Sequence, residues 1–180
     1  APVATWTKKR EWVHYAFEQF EGAGYTVTSA YTVAKNPART RFVYRDQLWT
    51  GADLIGLGVA SFSHIGGTHF QNEHNWGPYL ERLDRGELPI YRALTPTDEE
   101  RMIRELILQF KLGHVSMDYF RRKFGVDLEQ RFAEALDRIR EMGYLRKEGD
   151  QLLLNREGLL RADRLVHEFF LPQHRDARYA

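Results

Sequence analysis

Apolar positions along the chain alternate between a rhythm of 3.6 residues and one of two, and the changes of rhythm outline its elements. Over residues 8–21, Trp12, Val13, Ala16, Phe17 and Phe20 fall at i, i+1, i+4, i+5 and i+8, one face of an amphipathic helix. Gly22 and Gly24 end it, because glycine enters a left-handed cap without Cβ strain. Residues 25–33 are rich in β-branched and aromatic side chains and predict a strand. A turn-rich break follows over residues 35–40. Residues 53–67, mostly apolar and studded with small side chains, predict strand, tight turn, strand. Residues 68–77 read as a polar, aromatic loop, and 78–85 as a short helix with Pro78 at its start and Gly86 behind it.

After Leu94 the signals sharpen. Thr95 as N-cap, Pro96 at the first helical position and Asp98 three residues on form a capping-box variant. The stripe Met102, Ile103, Leu106, Ile107 and Phe110 follows, closed by Gly113. Ser116 caps a short helix through Phe120 and Phe124, stopped by Gly125. Asp127 and Gln130 cap the next, residues 127–142, with Leu128, Phe132, Ala135, Leu136 and Ile139 on its face. Glu148, Gly149 and Asp150 join two short strands as a hairpin, and a last helix carries Leu159, Leu160, Leu165, Val166, Phe169 and Phe170. Three helices, a hairpin and a helix is the order of a winged helix.

Composition narrows the classes. The chain has 180 residues, 43% hydrophobic and 13% aromatic, enough for a real core without a metal or disulfide staple. It contains no cysteine, which excludes disulfides, thiolate catalysis and any Cys-held iron–sulfur cluster on these residues. No apolar run approaches the ~20 residues of a spanning helix, and residues 1–6 show no secretory signal, so the expected address is cytoplasmic without a membrane partner. Lys and Arg outnumber Asp and Glu by 26 to 25, divided 10 to 9 through Leu94 and 16 to 16 beyond it. Neither half has the basic excess that phosphate binding exploits. The helix a DNA binder would present carries Glu129, Glu134, Asp137 and Glu141 against Arg131, Arg138 and Arg140, so a packing module is favoured over a winged-helix DNA-binding module.

His64, His69 and His74 recur at spacings of five. That spacing places neighbours on opposite faces of one strand, and only Glu73 is near, so loop histidines are expected and no metal site. Gly56-Leu57-Gly58 lacks the third glycine of a dinucleotide fingerprint. Ser61, Ser63 and His64 beside these glycines form a candidate polar site, although small residues crossing a tight sheet account for them equally.

One resemblance covers nearly the whole chain, residues 12–170. The stretch Gly51-Ala52-Asp53-Leu54-Ile55-Gly56-Leu57-Gly58-Val59-Ala60-Ser61-Phe62-Ser63-His64-Ile65-Gly66-Gly67, then Gln71-Asn72 and Pro78-Tyr79-Leu80, resembles the C-terminal half of the oxygen-independent coproporphyrinogen III oxidases, radical S-adenosylmethionine enzymes of haem biosynthesis. The run from Arg92 to Ile103 is similar to their lead-in to a C-terminal helical domain. The resemblance implies an α+β fold in three parts. Residues 1–34 are the last helix and strand of a truncated (β/α) barrel, 35–94 a glycine-rich β region lining its mouth, and 95–180 a winged-helix-like domain. It implies S-adenosylmethionine and a [4Fe-4S] cluster in a longer parent, the cluster being held by a barrel portion on the same or a separate chain. A tetrapyrrole is the implied substrate.

Carried over residue by residue, the family's pocket falls on Tyr44, Gly58, Ala60, Ser61 and Phe62 for the cofactor, with Ser63 close to the substrate. Tyr44 and Phe62 stand where the oxidases have Gln and Ile. The haem-chaperone relatives' His-Asn-x-x-Tyr is replaced here by Tyr44-Arg45-Asp46-Gln47-Leu48. Arg39, Arg41 and Arg45 are candidates for holding substrate carboxylates, with solvated loop charge as their bland alternative. No catalytic residue is expected in this chain. A tetrapyrrole-binding chaperone-like module and a radical methyltransferase relative are the alternative functions.

Overall fold

The protein, described over residues 3–175 in a computed structural model, is a mixed α+β chain. It divides into two compact units, one made of residues up to Arg41 and those from Leu106 onward, the other of Phe42–Glu105.

In the first unit α1 (Trp6–Gly22) begins where the Thr5 hydroxyl accepts the Lys8 N–H at 3.2 Å. The run read as one strand is instead a hairpin, β1 (Thr26–Ser29) and β2 (Thr32–Ala34), antiparallel with Thr26 opposite Ala34. The turn is made by hydroxyls rather than by glycine or proline: Ser29 Oγ accepts the Tyr31 N–H at 3.1 Å and lies 2.7 Å from Thr32 Oγ1. The Ala30 N–H donates to the Lys111 carbonyl at 2.8 Å, and the Tyr31 hydroxyl donates to Asp163 at 2.5 Å. Burial, followed by the Asp163 carboxylate, pushes the Tyr31 pKa well above the ordinary range.

The second unit contains α2 (Val43–Trp49) and three antiparallel strands in the order β3 (Phe62–Ile65), β4 (Thr68–Asn72) and β5 (Ile90–Leu94), with α3 (Trp76–Asp84) between the last two. Residues 68–72 are the central strand and not a loop, and α2 and β5 occupy segments without a clear period. Residues 53–61 contribute only the bridge from Leu54 to His64.

Helix α4 (Asp98–Phe110) is capped two residues later than expected. Thr97 Oγ1 accepts the Glu100 N–H at 3.2 Å while Glu100 returns to the Thr97 N–H at 2.8 Å, a reciprocal capping box with Thr97 and not Thr95 at its head. There follow β6 (His114–Ser116), α5 (Met117–Phe124), α6 (Leu128–Arg131), α7 (Ala133–Glu141), β7 (Leu145–Glu148) and β8 (Gln151–Leu154). The strands pair in the order β6-β8-β7. Ser116 and Asp127 cap α5 and α6 as read, but the helix expected over 127–142 is interrupted at Phe132, whose φ of −123° leaves the helical region. The expected last helix is broken into α8 (Arg156–Leu159), α9 (Ala162–Leu165) and a 3-10 turn, Val166–Phe169. The stripe residues Leu106, Phe110, Phe120, Leu136, Ile139 and Phe169 are all buried to within 2% of completely.

Candidate functional site

Each unit has a hollow on its surface. The larger, about 930 Å³ in the first unit, is lined by Trp6, Val13, Tyr31, Asp163 and His167 among others, and its central polar groups are already paired with each other: Tyr31 with Asp163, and Asp163 with Lys111 at 3.1 Å. The smaller, about 490 Å³ in the second unit, has polar groups left over and is the better candidate.

Its construction starts from Gly56. A Cβ there would lie 2.2 Å from the Phe62 carbonyl oxygen, so only glycine lets this loop cross β3 so closely. Ser63, 1% exposed, accepts the Gly56 N–H at 3.0 Å, and the Asn72 amide donates to the carbonyls of Gly56 and Gly58 at 3.2 and 3.0 Å. His64 pairs with Leu54 through both backbone groups, at 2.8 and 2.7 Å. Asp53 accepts the Gly66 N–H at 2.9 Å. Ala60 sits at φ +60°, where a non-glycine residue costs energy, and its N–H and C=O are held by Glu73 and Gln71. The loop is thus a fixed wall. Replacing Asn72 with alanine leaves two loop carbonyls without their donor and is expected to lower stability by about 1–2 kcal/mol, read as a lower urea midpoint at unchanged slope.

On the outer side of the cleft lie exposed apolar groups: Tyr44, Ile55, Leu57 and Phe62 are between 45% and 86% exposed. Its recessed members are Ser63, His64, His69 and Arg104. The two histidines face each other across β3 and β4, and the expectation that their spacing puts them on opposite faces is overturned. Gly66 and Gly67, at φ +56° and +81°, form a two-residue turn, and a turn of that length makes residues five apart direct partners. The rings are 6.2 Å apart, and His69 stacks on Phe62 at 5.5 Å. Each Nδ1 is buried without a hydrogen-bond partner. Burial, then the Arg104 charge, lowers both imidazole pKa values; His69 itself also acts on His64, and Arg92 on His69. Arg104 is likewise lowered by burial. No Asp or Glu lines the cleft.

These shifts fix a pH dependence. With folded pKa values below the ordinary 6.5, the unfolded chain binds more protons than the folded one between the two values. Stability therefore falls as pH drops below 6.5. Urea midpoints at pH 7.5 and 5.5 are expected to differ more for the unaltered chain than for His69→Gln.

Of the residues singled out from sequence, Tyr44, Ser61, Phe62 and Ser63 line the cleft. Gly58 and Ala60 do not; they belong to the loop scaffold. Arg45 is mostly buried, paired with Asp46 at 2.7 Å and packed over the rings of Phe42 and Trp49. Arg39 and Arg41 are exposed and do not line it. Sequence reasoning missed Arg104, hidden in a helical stripe, and undervalued His64 and His69, whose signal was the Gly66-Gly67 pair between them. Among the described residues no cluster of three or more metal-ligating side chains occurs, and no helix is long and apolar enough to cross a membrane.

Fold and cleft define an α+β module with a recessed cleft that no Asp or Glu lines, and comparison with known proteins gives its kinship. Residues 97–161 match the HemN C-terminal domain. The chain is 30% identical over 137 residues to the oxygen-independent coproporphyrinogen III oxidase of Pseudomonas aeruginosa, covering 71% of this chain and 29% of that enzyme. It is 31% identical over 88 residues to the Helicobacter pylori protein of the same name, covering 48% of this chain and 19% of that one. The solved coproporphyrinogen III oxidase (HemN) of Escherichia coli, described as a radical SAM enzyme, shares its fold with a TM-score of 0.70 at 16% identity, over 87% of this chain and 39% of that structure. The chain belongs to the oxygen-independent coproporphyrinogen III oxidase family, as a relative of the C-terminal portion of its members. It spans well under half of their length.

Proposed function

We propose that this chain is the C-terminal region of a coproporphyrinogen III oxidase-like radical S-adenosylmethionine enzyme, covering a tetrapyrrole substrate while the cluster-bearing portion performs the chemistry. The observation that carries this is the cleft: a rigid loop, an exposed aromatic rim and recessed nitrogen groups, in a chain related over 71% of its length to such an enzyme. On this reading the division into residues 1–34, 35–94 and 95–180, of which 1–2 and 176–180 lie outside the described residues, is one of barrel end, barrel mouth and winged-helix-like domain. Tyr44, Ser61 and Phe62 face cofactor or substrate, with Gly58 and Ala60 holding the wall and Ser63 beneath it.

No cysteine is available here, so the residues present do not fit a [4Fe-4S] cluster, which belongs to the barrel portion. They do fit a flat, partly apolar ligand, because the Tyr44 and Phe62 rings are half-exposed and Phe62 is pre-stacked on His69. An S-adenosylmethionine cofactor, held with the cluster of the barrel portion, would supply hydrogen abstraction from a propionate side chain. This chain's share is to orient that substrate and exclude water from it.

A nucleic-acid role is opposed by the pairing on α7 and β7. Arg140 binds Glu129 and Asp137 at 2.7 and 2.8 Å, Arg138 binds Glu168 at 2.8 Å, and Lys147 binds Glu129, so these cations are already neutralised. The decisive experiment joins the chain to a barrel portion carrying a Cys-x-x-x-Cys-x-x-Cys loop and reconstitutes it anaerobically. Cleavage of S-adenosylmethionine with oxidation of coproporphyrinogen is expected, reduced about tenfold by Phe62→Ala, the loss of one aromatic contact of ~1.4 kcal/mol. No cleavage in the presence of substrate would sink the enzymatic reading. Stoichiometric haem binding without oxidation would replace it with a tetrapyrrole carrier.

A further inference from the structure

We propose that the cleft of the second unit is a carboxylate-recognition site, in which the Arg104 guanidinium takes the anion and the facing pair His64 and His69 flanks it. The proposal deepens the reading of this cleft as a ligand-facing surface and rests on it.

Four observations lead there. Arg104 lines the cleft and is only partly exposed, yet no hydrogen bond or ion pair engages it among the described residues. Burial lowers the Arg104 pKa and the nearby Glu105 charge only opposes that, so a recessed guanidinium with no ion pair carries a desolvation cost that a bound anion would offset. His64, 5% exposed, and His69 also line the cleft, and each has a buried nitrogen without a partner. Such orphaned groups are rare in folded proteins. The lining contains no acid, whereas elsewhere in this unit arginines are matched: Arg82 with Glu73, Arg85 with Glu87, Arg101 with Asp98. The rim above is apolar, formed by Tyr44, Ile55, Leu57 and Phe62. An apolar rim over a cationic recess selects a carboxylate attached to an apolar body.

A metal ion is the obvious competitor for two facing histidines, but a guanidinium beside them repels a cation. Two imidazoles alone also fall short of an ordinary ligand set. The planar fork of arginine suits a carboxylate through two parallel hydrogen bonds. A bound anion favours the protonated imidazoles, so binding tightens as pH falls and the two rings, whose pKa values lie below the ordinary range, take up protons. Arg92 and Arg104 oppose that protonation, while Asp53 and Glu105 favour it in His64. Two ligands of the proposed reaction carry this group: the propionates of a tetrapyrrole and the amino-acid end of S-adenosylmethionine.

The test is a titration of the chain with sodium propionate, following the His64 and His69 ring resonances by NMR, against sodium chloride at equal ionic strength. Saturable shifts with propionate alone are expected. They should weaken at least tenfold in Arg104→Gln and partially in Arg104→Lys, which keeps the charge and loses the fork. Equal shifts with chloride, or an undiminished affinity in Arg104→Gln, would overturn the site.

A second arm needs no variant: coproporphyrin III is compared with its tetramethyl ester, and S-adenosylmethionine with its methyl ester. The acid that binds at least tenfold better than its ester identifies the carboxylate's source. If propionate binds through Arg104 but neither larger acid does, the carboxylate site stands and the enzymatic reading falls. If each acid and its ester bind equally, in both pairs, the carboxylate site falls and the enzymatic reading stands.

Discussion

Phe169→Ala is expected to lower the stability of the first unit by about 3–5 kcal/mol. Phe169 is 2% exposed, and its ring centroid lies 4.9 Å from that of Phe110 and 5.4 Å from that of Phe132. Three rings drawn from α4, from the interruption between α6 and α7, and from the 3-10 turn Val166–Phe169 meet at one point. Truncating the middle one removes an aromatic side chain and leaves a hole that neither neighbour can fill without leaving its rotamer. The neighbouring Phe170 is an internal control, being only half-buried and held by stacking on His167 at 4.6 Å. Its alanine variant should cost roughly 1 kcal/mol, the worth of one aromatic contact. Urea unfolding followed by circular dichroism measures both, and equal costs would show that the three-ring cluster does not carry the stability assigned to it.

The stripe containing Phe110 and Phe169 was legible because helices that bury one face write it at a period of 3.6. The same period hid two breaks. Phe132 lies on the expected face of one long helix, and nothing in the pattern shows that the backbone leaves the helix there to set its ring against Phe169. The turn at Ser29–Thr32 was invisible for another reason. Serine and threonine serve strands and turns alike, and only the hydrogen bonds of Ser29 decide between them. Thr97 displaced Thr95 as cap because Glu100, not Asp98, has the reach to return the bond.

The cleft was half legible. Tyr44, Ser61, Phe62 and Ser63 came from a resemblance, and they share one cleft. The recessed nitrogen groups did not come from it, because His64 and His69 become neighbours only through a turn and Arg104 only through tertiary packing. A period along the chain cannot show a pair across it. The glycines between residues 56 and 67 were read as permitting close approach, and at Gly56 that physical reading is the one that matters.

Gly56→Val makes that reading measurable. Its Cβ would fall 2.2 Å from the Phe62 carbonyl oxygen and 3.0 Å from Ser61 Cβ, and neither the β3 backbone nor the loop can yield cheaply. Relief requires the loop to lift from β3, breaking the Gly56 bond to Ser63 and the Asn72 bonds to Gly56 and Gly58 together. The expected loss is about 3 kcal/mol, the upper end of overpacking costs, with alanine somewhat milder. Because Ile55, Leu57 and Phe62 are walls of the cleft, the variant should also lose the propionate-dependent shifts of His64 and His69, even where the chain remains folded. Gly77→Ala is the matched control, since a Cβ at that helical position meets nothing within 4 Å and should leave both stability and shifts unchanged. A Gly56→Val chain that kept its urea midpoint would show that the loop yields freely, and the cleft would then have no fixed wall against which to hold a ligand.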